Sequence, residues 1–321
     1  MFSKISNNVK INLYNHINLM TYITAKIVPD LDGVACAVAY GEYLNAKGVE
    51  AKVIFEDHIN FEAKYVSTQL GISNLISDKD AKFNSEDNFI LVDFCEKYGL
   101  PTFIEPSLVI ELIDHREFPA FDYYPNAKWR VEKVGAAATL IAEFYYFDRT
   151  IVINPITATL LLCAIYSNTV NFKSENTTFR DIRMRDWLAT VASDSKLPEK
   201  MFDFKSRYIF ENLEEVLGDE LKIMINKEGK KIIIFQLETS DSKLILENKQ
   251  TVEAKLKKLL PEAEIYYLLI QDEQRGNTLI LSSDSSLSEK LISKGLNLHI
   301  HEDIIVLENL MMRKRLTPLI L

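Results

Sequence analysis

The stretch TYITAKIVPDLDGVACAVAYGEYLNAKGVEAKVIF, residues 21–55, decides the architecture. TYITAKI (21–27) is apolar and β-rich, which predicts a strand. GVACAVAYGEYLNAKG (33–48) predicts a helix that stops at a glycine. AKVIF (51–55) predicts a second strand. Two acids, Asp30 and Asp32, stand between the first strand and the helix. Strand, acidic turn, helix and strand form the repeating unit of a parallel α/β sheet.

Working outward, NFILVD (88–93) and LVIELID (108–114) are near-continuous apolar runs that end in an acid. Such runs suit strands buried on both faces of a parallel sheet. GAAATLIAEFYY (135–146) and ITATLLLCAIY (156–166) predict buried helices. The alternation predicts an α/β domain with a doubly wound, mainly parallel sheet. Ligands bind such sheets at the carboxyl ends of the strands. Three strands deliver acids there: Asp30 and Asp32, Asp93, and Asp114. One strand-end aspartate alone commonly caps a helix or closes a turn. Several converging on one sheet edge point to a site.

A chain of 321 residues predicts two domains, because single cores stop growing near roughly 250–300 residues. The small, polar, Pro-bearing ATVASDSKLPEK (189–200) marks the connection. The expected division is a first domain over 1–188, including an N-terminal extension at 1–20, a linker over 189–205, and a second domain over 206–321. In the latter, the runs ELKIMINKEG, KKIIIFQLET, EIYYLLIQ and NTLILSSD read as strands, and NKQTVEAKLKKLL reads as a charged helix. This predicts a smaller α+β domain, ending in a basic cluster at Arg313, Lys314 and Arg315.

The net charge of −9 and the lack of aromatic–basic interleaving argue against a nucleic-acid partner. Three sparse cysteines, Cys36, Cys95 and Cys163, lack metal-ligand spacing and suit a reducing, cytoplasmic setting. No charge falls between Arg149 and Lys173, a length that could span a membrane. Asn154, Pro155, Ser167, Asn168 and Asn171 make it a buried helix with a polar end instead, and no membrane contact is expected. Neither G-x-S-x-G nor a glycine-rich phosphate loop occurs. His299 and His301 share a strand face near Glu302 and read as an exposed face; His16 and His58 read as surface residues.

Several carboxylates and one imidazole at a sheet edge suit hard divalent cations such as Mg²⁺ or Mn²⁺. A carboxylate shared by two ions makes a two-metal site for in-line attack on phosphorus. Arginine and lysine would then hold the phosphoryl oxygens. Without such ions, Asp114-His115-Arg116 reads as a strand-end salt-bridge cluster.

PDLDG (29–33), LVDF (91–94), LIDHR (112–116), VGAAATLI (134–141) and LLCAIYSNTVNFKSENTTFRD (161–181) together resemble the ordered motifs of DHH-type phosphoesterases. The last of these, and the tail MMRKRLTPLI (311–320), are similar to family II, manganese-dependent, inorganic pyrophosphatases with a DHHA2-like second domain. The GGGH motif of the DHHA1 branch is absent, which argues against the oligoribonuclease members. The resemblance implies metal ligation by Asp30, Asp32, Asp93 and His115, with Asp93 bridging two ions and Asp114 supporting the histidine. It implies catalytic roles for Asp93, His115 and Arg116. It also implies phosphate contacts from Arg116, Lys196, Arg313 and Lys314, a small phosphorylated substrate, a closing second domain and a homodimer formed through the first.

Three positions depart from the pyrophosphatase pattern. Lys26 and Arg116 stand where that family has histidines, and Asn168 stands where it has an aspartate. Arg116 resembles the DHR variant of prune-type exopolyphosphatases, and a guanidinium binds phosphate oxygens. A protonated lysine cannot ligate a metal, whereas Asn168 would keep an oxygen ligand without its charge. The expected activity is hydrolysis of phosphoanhydrides, pyrophosphate or short polyphosphate, at an altered metal site. Two alternatives remain: a catalytically weak relative that binds a phosphorylated ligand or a protein, and a nucleotide phosphodiesterase.

Overall fold

The computed structural model describes residues 20–320, apart from 57, 74, 78–80, 86, 117–119, 220, 260–263 and 274. The expected N-terminal extension, except Met20, lies outside the described residues, as does His16.

The first domain follows the order β1 (Thr21–Thr24), α1 (Leu31–Ala46), β2 (Ala51–Phe55), α2 (Phe61–Gln69), β3 (Ile76–Ser77), β4 (Asn88–Val92), β5 (Val109–Asp114), β6 (Lys128–Val131), α3 (Ala137–Phe147), α4 (Pro155–Asn168) and α5 (Phe179–Val191). Its sheet runs β3-β2-β1-β4-β5-β6, and every pairing is parallel. The strand order reverses between β1 and β4, so the crevice of a doubly wound sheet opens beyond the ends of those two strands. Ile90 and Val92 point into the core shared with α1 to α5, whereas Phe89 and Leu91 point to the opposite face. Burial on both faces explains why β4 is apolar at successive positions. Aromatic-rich connecting segments around Phe83, Phe103 and Tyr124 cover that second face.

Two boundaries differ from the sequence reading. The first strand stops at Thr24 rather than residue 27, because the chain turns there and Val28 adopts φ +50°. A left-handed β-branched residue is costly, and here it aims Asp30 and Asp32 across the sheet edge. The helix then begins at Leu31, two residues early, because Asp30 caps it and accepts from the Gly33 N–H at 3.2 Å. The charge-free stretch forms α4, whose Thr157–Ile165 segment is buried. Among the described residues no helix is long and apolar enough to cross a membrane.

Much of the expected linker is helical: α5 continues to Val191, and α6 (Leu197–Glu211) starts six residues later. The second domain continues with α7 (Leu213–Asp219), β7 (Leu221–Ile225), β8 (Lys231–Thr239), α8 (Lys243–Glu247), α9 (Lys249–Leu259), β9 (Ile265–Asp272), β10 (Asn277–Ser282), α10 (Leu287–Ser293), β11 (Leu298–His301), β12 (Ile304–Leu307) and α11 (Arg313–Ile320). Its mixed sheet runs β11-β12-β10-β9-β8-β7, with only β8 and β9 parallel. Apolar clusters fill both of its faces. The two domains meet where α2 packs on α6. Phe61 stacks on Tyr208 at 4.4 Å and Tyr65 on Phe204 at 4.0 Å, ring centroid to centroid. His58, His299 and His301 are exposed.

Candidate metal and phosphate site

The acids expected at the sheet edge converge there. Asp93 immediately follows β4 and sits at φ +50° with 1% exposure, so its side chain is fixed by a second left-handed turn. Asp32 lies in the first turn of α1 and is 2% exposed. His115 follows β5. Ligand atoms from Asp32, Asp93 and His115 lie within 4.8 Å of one another, so these three residues could hold a divalent metal ion.

Local bonds set each of the three. The carboxylate oxygens of Asp32 accept from the Ala137 and Ala138 N–H groups, each at 2.8 Å, at the start of α3. Burial, and then the neighbouring Asp93, push its carboxyl up to about 8. A carboxyl so strained by a second anion is a group that a bound cation would relieve. Burial would raise Asp93 as well, but Arg116 and His115 outweigh it and hold that carboxyl below the usual range. The His115 Nδ1 lies 3.0 Å from the Val134 carbonyl, which can only accept, so Nδ1 carries the hydrogen. Its Nε2 then faces Asp93 Oδ1 at 3.4 Å. Burial lowers the imidazole, but Asp93 more than reverses this and pushes it up to about 9. A cation at this place would replace that proton. The donor set therefore fits a divalent ion.

The remaining expected residues divide. Asp114 is fully buried, yet it does not orient the His115 ring. It accepts from the His115 backbone N–H at 2.6 Å and from Arg116 Nη1 at 2.7 Å, and the Val134 carbonyl holds the ring. Arg116 Nη1 also reaches the Asp93 carbonyl at 2.6 Å and its Oδ1 at 3.1 Å. Asp30 pairs with Lys26 and stands outside the three-residue cluster. Asn168 turns its amide nitrogen, not its oxygen, toward the site. The Nδ2 donates to Asp32 Oδ2 at 2.8 Å and to the Gly135 carbonyl at 3.1 Å, both acceptors. The oxygen ligand expected of Asn168 is absent from this arrangement.

A cavity of about 330 Å³ opens over the cluster, between the domains. Asp30, Asp32, Glu62 and His115 line one side, and Lys205, Gln236 and Glu238 the other. Lys205, on α6, is the lysine in this wall. Lys196, the expected phosphate contact, is exposed at the start of α6, with its backbone N–H on Asp194. Lys205 lies 3.7 Å from Glu62, 3.5 Å from Glu238 and 3.3 Å from Glu273. Burial would lower its ammonium, but these carboxylates raise it well above its ordinary value. Glu273 is itself pushed up to about 7 by burial. Arg313 opens α11, and its N–H bonds Gln236 Oε1 at 2.7 Å, beside the cavity. The side chain of Lys314 lies outside what the structure describes.

Two fasteners escaped the sequence reading. Lys205 sits four residues after Met201 and four before Ile209, both buried, so it lies on the apolar face of α6. A lysine at that spacing was the available signal. Asp181, in the TTFRD segment, is fully buried and accepts from Gly135 N, Thr139 Oγ1, Thr178 N and Thr178 Oγ1. It ties the turn before α3, and hence the Asp32 contacts, to α5.

The chain is similar to known proteins over most of its length. Residues 20–165 match the DHH family, N-terminal domain. The manganese-dependent inorganic pyrophosphatase of Methanocaldococcus jannaschii is 28% identical over 309 residues, covering 92% of this chain and 96% of that protein. The Bacillus subtilis enzyme of the same name is 25% identical over 293 residues, covering 89% and 93%. A solved Methanococcus jannaschii structure, named for the family II inorganic pyrophosphatases, superposes with a TM-score of 0.67 at 26% identity, covering 94% of this chain and 98% of that one.

Proposed function

From a chain whose residues 20–165 belong to the DHH family, we propose a divalent-metal-dependent hydrolase of phosphoanhydride bonds acting on pyrophosphate or short polyphosphate. The observation that carries this reading is the meeting of Asp32, Asp93 and His115 beneath a cleft whose opposite wall bears Lys205. The cavity is lined by Asp30, Asp32, Glu62 and Glu238, so a polyanion would be repelled from it unless cations neutralise the floor. The similarity to manganese-dependent pyrophosphatases, along nearly the whole chain, supports Mn²⁺ or Mg²⁺ as that cation.

Asp32, Asp93 and His115 would hold the ion, which supplies charge for the phosphoryl oxygens and lowers the pKa of water. Val134 fixes the ring hydrogen on His115 Nδ1 and leaves Nε2 for the cation. Arg116, whose Nη1 is anchored on Asp93 and Asp114 and whose Nε lies 3.6 Å from Glu96, would offer its Nη2 to phosphate oxygens. Lys205 faces the same space from the second domain, and Arg313, which opens α11 and bonds the cavity-lining Gln236 through its N–H, stands at its margin. We assign phosphate binding in the cleft to Lys205 ahead of Lys196. Residues 206–321 act in this reading as a DHHA2-like domain that excludes water on closing, with 189–205 as the connection. A homodimer through the first domain belongs to the same proposal.

A second reading has its own support. Lys26, Arg116 and Asn168 already place N–H donors on Asp30, Asp93 and Asp32. A weakly metallated relative that binds a phosphorylated ligand would look the same. The test is phosphate release from pyrophosphate, tripolyphosphate and cyclic dinucleotides with Mg²⁺, Mn²⁺ and Co²⁺. Turnover of the first two is expected. Release from cyclic dinucleotides alone would make it a phosphodiesterase, and no turnover at all would favour the binding protein.

A further inference from the structure

The three substituted positions act on the carboxylates themselves. The ammonium of Lys26 is paired with Asp30, which also caps α1. Asp30 thus has one oxygen on Lys26 and the other on the Gly33 N–H. Arg116 Nη1 holds one oxygen of Asp93 at 3.1 Å. Asn168 places its nitrogen, rather than a carboxylate, against Asp32. What remains for a cation is the cluster of Asp32, Asp93 and His115.

We infer that this chain binds a single divalent ion, at Asp32, Asp93 and His115, and that the Lys26 ammonium on Asp30 occupies the place of a second. The inference rests on the metal dependence proposed above and concerns how the floor of that site is neutralised. One divalent ion with one ammonium and one guanidinium carries the same formal positive charge as two divalent ions. The phosphate therefore meets a comparable field, part of it supplied by cations fixed to the backbone. Lysine and arginine are not exchangeable with solvent, so this part of the charge does not depend on free metal. Lys26 is also held by its position. It lies in the turn that follows β1, in an i,i+4 relation to Asp30, with a side chain only about one-third exposed.

The arrangement explains why Asp30 stands outside the ligand cluster. Each oxygen of this carboxylate already accepts one bond, and its charge is balanced by the adjacent ammonium. Taking it for a metal would require Lys26 to leave, and the displaced ammonium would then repel the incoming ion.

The probe is Mn²⁺ alone, titrated by calorimetry into the full-length, metal-stripped protein, with paramagnetic resonance read on the same samples. The unaltered chain is expected to bind one ion per chain with an uncoupled Mn²⁺ spectrum. Lys26→His combined with Asn168→Asp is expected to bind two, with spin coupling between them. Asn168→Asp alone is expected to keep one ion and to tighten it at least about tenfold. This single change keeps the test open should the double variant not fold. Two coupled ions in the unaltered chain, or none, would overturn the inference. So would a folded double variant that still binds one. Hydrolysis measured in parallel separates the two claims. One bound ion without turnover removes the hydrolase reading only, and two bound ions with turnover remove this inference only.

Discussion

Replacing Glu273 with Gln probes the charge cluster that joins the domains. Glu273 is 1% exposed and packs 3.3 Å from Lys205, in the company of Glu62 and Glu238. One of its oxygens has no hydrogen-bond partner. Burial pushes its carboxyl from the ordinary 4.5 up to about 7, even with Lys205 beside it. The folded state therefore binds a proton that the unfolded state has already released. Stability is undiminished below the unfolded value, falls as pH rises through the window between 4.5 and about 7, and is lowest above it. The gap corresponds to about 3 kcal/mol. Glutamine mimics the protonated form, so Glu273→Gln removes this pH dependence. Its advantage over the unaltered chain should be about 2–3 kcal/mol larger at about pH 8 than at about pH 5. Urea unfolding followed by circular dichroism at both pH values reads that difference. A difference independent of pH, or one that shrinks as pH rises, would refute the reasoning.

Other substitutions test the walls of the cleft. Lys205→Met should raise KM for pyrophosphate about tenfold or more, the worth of one charge-assisted hydrogen bond, whereas the exposed Lys196→Ala should leave KM within about twofold. Steady-state kinetics of the two variants side by side decides between these lysines. Gly135→Ala would place a Cβ 2.6 Å from Thr169 Cγ2 and 3.1 Å from Asp181 Oδ2. The turn before α3 must shift, and a loss of about 1–3 kcal/mol is expected in thermal unfolding.

The parallel sheet was legible because β4 and most of β5 are buried apolar runs closed by an acid, Asp93 just after β4 and Asp114 at the end of β5, a pattern visible in the order of the residues. The convergence of Asp32, Asp93 and His115 followed from Asp, Asp and His standing after three neighbouring strands of that sheet. Asp30 was harder. A cap and a metal ligand call for the same residue at the same place, and only the Lys26 contact separates them. The facing of Asn168 was not legible either, since an amide offers both a donor and an acceptor. The acceptors Asp32 and Gly135, distant in sequence, decide it. Lys205 was hidden for a different reason. The Pro-bearing 189–200 stretch drew attention to Lys196, while the signal lay in the helical spacing of Met201, Lys205 and Ile209.

The central claim is that Asp32, Asp93 and His115 hold a divalent ion on which hydrolysis depends. Its most direct measurement is Mn²⁺-dependent phosphate release from pyrophosphate by the unaltered chain and by Asp93→Ala. The account predicts turnover that chelation abolishes and Mn²⁺ restores, with both turnover and Mn²⁺ binding lost in Asp93→Ala. Mn²⁺ binding and phosphate release in Asp93→Ala equal to those of the unaltered chain would contradict it.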